Sequence, residues 1–209
     1  MPQSQGTVLS GQSLQQRVTT GTPGIRQGGY TEQIVTELMP QYFEACLSKA
    51  LFSAQSRARA TSLVGVAMVG LQVWNSSSDR NLILTRVGGT IVAASASQTG
   101  VVLATGRGQI VAPTSVTAAD NAQGNFIGLA AGAGLGYAAA TFANAPTICR
   151  DLVHNTAGLA TTGVDPGYDV EIKGAIIIPP QCWFALASLG AAGAAASNNH
   201  WAEWIEAGV

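Results

Sequence analysis

The chain has 209 residues, only 10 % of them charged, and a net charge of −1. A soluble monomer carries about 25 % Asp, Glu, Lys and Arg, so so little charge implies a surface that faces other protein chains, faces lipid, or is coated with neutral polar groups. Near-neutrality argues against nucleic acid as the main partner, because phosphate binding needs a basic face.

The shortage is uneven. Between Arg86 and Arg150 the chain carries only Arg107 and Asp120. The length fits one domain with an extension, or two small ones. At this size a core buries roughly 70 % of the unfolded surface, so folding needs neither disulfide nor metal. Aromatic residues make up 6 %, and the abundant Ala and Gly bury little area each, so burial against neighbouring subunits is a natural supplement.

Residues 1–29 are rich in Gln, Ser, Thr and Gly, and Met1 to Thr20 contains no apolar core of signal-peptide type. They cannot offset their own ordering entropy and read as an extended arm, disordered alone or laid along a neighbour. In residues 30–60, Ile34, Val35, Leu38, Tyr42, Cys46 and Leu51 recur at near three- and four-residue spacing, a helical stripe. Pro40 breaks it, predicting two short helices over about 31–39 and 41–49, with Arg57 and Arg59 as a polar exit. Two readings stand for these helices: packing on their own domain, or a hook onto a neighbour.

From residue 63 the period becomes two, the mark of a β-domain placed over 61–209. The strand candidates are 63–74 and 81–94, joined as an antiparallel pair by the turn-rich NSSSDRN (75–81), with Gly88-Gly89 marking a bulge or bend. Residues 101–105 and 109–113 flank Gly106-Arg107-Gly108 as a hairpin, and 114–146 show no clear period. Then come 147–154, a turn at 161–169 around Pro166-Gly167, and strands at 169–180, 182–190 and 199–207. Pro179-Pro180 ends its strand or puts it at an edge. Short strands without alternating helices predict a mainly β fold, an antiparallel sandwich or jelly roll.

Residues 126–143 are uncharged, with Gly128, Gly132 and Gly136 four apart. That is the spacing of close-packed membrane helices, yet the segment is weakly apolar and no basic cluster flanks it. A buried Gly/Ala-rich loop or small strand pair is the competing reading, and we expect no membrane partner.

No catalytic constellation is apparent. Cys149 and His154, five apart, point to opposite faces of a strand, and Asp151 and His154 likewise diverge. His200 meets Glu203 on one face only if that stretch is helical. Asp165, Asp169 and Glu171 could gather around calcium, but Asp165 reads as a turn starter and the other two as a solvent-facing strand edge. Cys46, Cys149 and Cys182 lack CxxC spacing and read as reduced, mostly buried thiols. We therefore expect no enzyme, cofactor or metal. Trp74 and Trp183 read as core. Trp201 and Trp204 fall on opposite faces of a strand, so one of them faces outward or a subunit contact.

Three stretches carry a resemblance: ELMPQYFEACLSKALFSAQSRA (37–58), GLQVWNSSSDRNLILTRVG (70–88), and IKGAIIIPPQCWFALAS with HWAEWIE (172–188, 200–206). Together they resemble tailed-bacteriophage virion structural proteins of the head decoration or cement type. The resemblance implies a jelly-roll-like β-domain behind a helical element, a homotrimer as oligomer, and the major capsid protein as partner. It also implies assembly in the host cytoplasm and a final place on the capsid surface. The contacts are then expected at Arg17, Arg26, Tyr30, Tyr42, Phe43, Trp201 and Trp204. The alternative function is a β-sandwich adhesin of a phage tail or spike, with aromatic and polar side chains on loops 75–81 and 155–168.

Overall fold

Strands dominate because β-branched, aromatic and small residues alternate over most of the chain. The computed structural model describes residues 45–46, 49–57, 62–93, 99–123, 132–155, 167–189 and 197–209. The chain divides into two units, Met1–Phe43 and Glu44–Val209, and everything described belongs to the second. Arm 1–29, the first expected helix and most of the second lie outside the described residues. Of the second, Ala45 and Cys46 are helical. A helix stop follows them: the Ala50 N–H donates to Ala45 O at 2.8 Å and the Lys49 N–H to Cys46 O at 3.1 Å, with Lys49 at φ 59°.

Among the described residues twelve strands follow in chain order: β1 Leu51–Gln55, β2 Ser62–Val64, β3 Ala67–Asn75, β4 Arg80–Ala93, β5 Thr99–Gly106, β6 Thr114–Ala118, β7 Asp120–Gln123, β8 Gly134–Thr141, β9 Thr147–Asn155, β10 Tyr168–Ile178, β11 Trp183–Ser188 and β12 Ser197–Gly208. They form a five-stranded sheet, β10-β4-β12-β1-β7, and a seven-stranded sheet, β6-β8-β3-β11-β5-β9 with β2 paired to β3. Every pairing is antiparallel.

The sheets share one core. Phe52, Leu82, Leu84, Ala202 and Trp204 from the five-stranded sheet meet Leu71, Val73, Leu103, Phe184 and Leu186 from the other. Trp204 stacks on Phe52 at 6.3 Å and takes Phe184 edge-on at 6.5 Å. A second core lies on the outer face of the seven-stranded sheet, where Trp74, Trp183, Met68, Ala140 and Phe142 pack together. Phe142 stacks on Trp183 at 4.2 Å. This explains why every residue of β11 is buried, an arrangement alternation alone does not foresee.

Several expectations are corrected. Leu51–Gln55 is strand β1 rather than helix: Phe52 and Ala54 face the core while Gln55 faces out, so period two outweighs the helical stripe. The β-domain thus begins by residue 51. The 63–74 strand is interrupted by a turn at Gly65-Val66, with Gly65 at φ +60°. β3 and β4 are not a hairpin, because they belong to opposite sheets. Buried Asn75 fixes the crossing by donating to Arg80 O at 2.8 Å and Ile178 O at 3.0 Å.

Residues 109–113 form no hairpin with β5, both of whose edges are occupied by β11 and β9. Residues 107–113 instead connect β5 to β6. Trp74 Nε1–H donates to the Gln109 carbonyl at 2.9 Å, and the Gln109 amide side chain accepts from Ala143 N–H at 2.8 Å and donates to Val111 O at 2.7 Å. Gly134–Thr141 is a strand, so Gly136 belongs to no helix, and Gly128 lies outside the described residues. Among the described residues no helix is long and apolar enough to cross a membrane. The strand 169–180 ends at Ile178, before Pro179-Pro180, and also lies at a sheet edge.

Candidate interaction face

The outward side chains of the five-stranded sheet line up in rows, because the register joins positions far apart in sequence. Leu51 pairs with Ile205, Ile205 with Ile83, and Ile83 with Ile177. Their neighbours Phe52, Trp204, Leu82, Leu84 and Ile178 point into the core, so these four point away from it. The result is an aliphatic ladder across four strands, with Ile177 53 % exposed. The next row is Ser53, Glu203, Arg86 and Glu171, and the third is Gln55, Trp201, Gly88 and Asp169. A bulge at Thr85, between Leu84 and Arg86, keeps the rows in step. Gly88-Gly89 is therefore not the bulge. Gly88 is required because a Cβ there would run into the Trp201 ring.

Arg86 organises the centre of this face. Its Nε donates to Asp169 Oδ1 at 2.6 Å and its Nη2 to Asp169 Oδ2, and its guanidinium carbon stands 5.5 Å from the Trp201 ring centroid. The hydrogen bond to Asp169 leads the causes that raise the Arg86 pKa, with Glu203 and Glu171 adding to it. Glu171 pairs with Lys173 at 2.9 Å. Asp169 and Glu171 are thus exposed strand residues held by cations, and Asp165 lies outside the described residues. No group of three or more metal-ligating side chains occurs among the described residues.

Of the expected contact residues, Arg17, Arg26, Tyr30, Tyr42 and Phe43 lie outside the described residues. Trp201 and Trp204 fall on opposite faces of β12, as alternation required. Trp204 is 1 % exposed inside the core, so it has no surface left for a partner and leaves the contact set. Trp201 remains, partly exposed on the outward face. Sequence reasoning missed Arg86, Glu203 and the aliphatic ladder. The alternation Trp201, Glu203, Ile205 was a signal for β12 alone; nothing local tied it to Ile83 or Leu51.

His200 is 1 % exposed and faces inward, away from Glu203. Its Nδ1 shares a 2.8 Å hydrogen bond with the Tyr168 hydroxyl, while Nε2 has no partner among the described residues. Ser56 Oγ accepts the His200 N–H at 3.0 Å. Burial lowers the imidazole pKa from 6.5 to about 4 and raises that of the Tyr168 phenol. The imidazole thus serves as a neutral core group. Cys46 and Cys182 are partly buried, Cys182 packing against the shared core; the expected burial fails at Cys149, which is exposed on the edge strand β9.

Among the described residues the strands that end the two sheet orders are all blunted. β10 bulges through Lys173 and Gly174, at φ 54° and 77°; β7 has four residues. β6 and β9 each carry two register shifts, with Ser115 of β6 at φ 51°. Such edges resist strand addition.

No family model, no curated protein and no solved structure matches the chain. The functional reading accordingly rests on the residues themselves.

Proposed function

We propose that the chain is a non-enzymatic virion structural protein, a head decoration or cement protein with a jelly-roll-like β-domain. Arm 1–29 and the helices after it would staple neighbouring capsid subunits, while the β-domain associates with further copies of itself. The observation that carries this reading is the aliphatic ladder Leu51, Ile205, Ile83 and Ile177 on an outward sheet face, in a chain with only 10 % charged residues. Apolar groups in a row across four strands serve a contact better than they serve solvation, and few charges need dehydrating when such a face closes. The adhesin alternative draws less support, since loop 75–81 contains no aromatic residue.

Electron microscopy of particles assembled with the full chain and with a variant lacking residues 1–29 tests the proposal. Full-length protein should decorate the capsid, and the variant should stay unbound while keeping the β-sheet circular dichroism of the parent. Capsid incorporation undiminished by the deletion would refute the stapling role.

A further inference from the structure

We propose that the outward face of the five-stranded sheet is a two-fold interface with a second copy of the chain, its axis running along the strands between β4 and β12. The inference deepens the self-association part of the proposed function and does not depend on which particle the chain joins. In the sheet order β10-β4-β12-β1, a two-fold parallel to the strands lays β4 over β12 of the partner and β10 over β1 of the partner. Ile83 then meets Ile205 of the partner subunit, and Ile177 meets Leu51 of the partner subunit, so the aliphatic ladder packs on its own reverse.

The charged row is self-complementary under the same operation. Glu203 and Arg86 are cross-strand neighbours astride the axis, so Glu203 faces Arg86 of the partner subunit and Arg86 faces Glu203 of the partner subunit. Opposite charges meet twice. Within its own chain Arg86 gives Nε and Nη2 to Asp169, leaving Nη1 for the carboxylate across the interface. In the third row Trp201 faces Gly88 of the partner subunit. Each Trp ring lies against its own Gly88, and two such flat rings, offset across the axis, suit the about 10 Å that separates packed sheets. A two-fold running across the strands through this row instead sets Arg86 against Arg86 of the partner subunit and Glu203 against Glu203 of the partner subunit, so charge selects the first axis.

The contact is small. Four strands about 4.8 Å apart and three rows roughly 7 Å apart span about 14 Å each way, short of the roughly 800 Å² per partner of a tight complex. Association is therefore weak and grows with concentration, as suits subunits gathered on a particle. Isologous contacts give even numbers of chains. A homotrimer is compatible only as half of a six-chain assembly.

Charge exchange tests the contact without confusing it with folding. Arg86→Glu places Glu against Glu twice in its own dimer, and Glu203→Arg places Arg against Arg twice. Each variant alone should self-associate about tenfold more weakly than the parent in sedimentation velocity at low salt. An equimolar mixture pairs the chains in opposite-charge register at both positions, and should recover parental affinity to within about threefold. Neighbours within one chain cannot produce that rescue, and matching circular dichroism of both variants keeps the comparison sound. A parent that stays monomeric to about 1 mM, the upper range of weak association, overturns the proposal. So does an odd-numbered oligomer, or a mixture that associates no better than its components. Where the mixture also associates no better than its components, capsid decoration that survives both single variants leaves the stapling role standing while the two-fold contact falls.

Discussion

His200 makes the stability of the domain depend on pH in a direction that can be worked out. The imidazole is 1 % exposed and burial depresses its pKa from 6.5 to about 4. A depressed basic group means that the unfolded chain binds a proton the folded chain refuses. Stability is therefore full above about pH 6.5, falls as pH drops toward about 4, and levels off below that. At about pH 4.5 the accumulated loss from this one group is about 2.5 kcal/mol, near the 1.36 kcal/mol per unit limit for most of the interval. The assay is urea unfolding of the parent and of His200→Gln, which is similar in length and does not titrate, at about pH 7.5, 6, 5 and 4.5. Carboxylate titrations act on both proteins and cancel in the difference. The gap between parent and variant should narrow by about 2.5 kcal/mol from the highest to the lowest pH. Parallel pH profiles would show that the imidazole is not held neutral by burial, and the reasoning would fail.

Three further substitutions probe the packing. A Cβ on Gly106 would enter the Trp183 ring, which is 0 % exposed and fixed by Phe142 at 4.2 Å. Gly106→Ala should cost about 1–3 kcal/mol in denaturant unfolding. Gly88→Ala should cost less, since Trp201 lies on an outward face and can lift; equal costs would contradict the distinction. Gln72 is 0 % exposed and neither amide atom finds a partner among the described residues. Gln72→Met should raise stability by about 1–3 kcal/mol, a Tm gain of about 2–4 °C per kcal/mol, and a fall in Tm would mean that a partner, such as a buried water, serves that amide.

Much of the strand pattern was legible because side-chain alternation is local. NHWAEWIEA and DVEIKGAIII show their inward and outward faces in sequence, and both are strands. Pro179-Pro180 marks the end of β10 because proline lacks the ladder donor. Where reading failed, a longer-range choice decided. Phe52 and Ala54 belong to a strand because β12 and β7 flank them, although the same residues fit a helical stripe. β3 and β4 looked like a hairpin, yet the loop between them carries the chain from one sheet to the other. The outward face was invisible for the same reason, since Leu51 and Ile205 become neighbours only through the ladder.

By itself the sequence determined that this is a charge-poor, mainly β chain, which residues alternate, and where proline and glycine interrupt the alternation. These are properties of neighbouring residues, set by backbone geometry and by which side chains leave water. Tertiary structure alone decided which strand pairs with which, and hence that of the two tryptophans Trp201 takes the outward face and Trp204 the closed core. Each extended backbone offers hydrogen bonds to any other, so pairing is settled only when all the apolar faces are buried at once. That collective choice is what gathers Leu51, Ile83, Ile177 and Ile205 into one row beside Arg86 and Glu203.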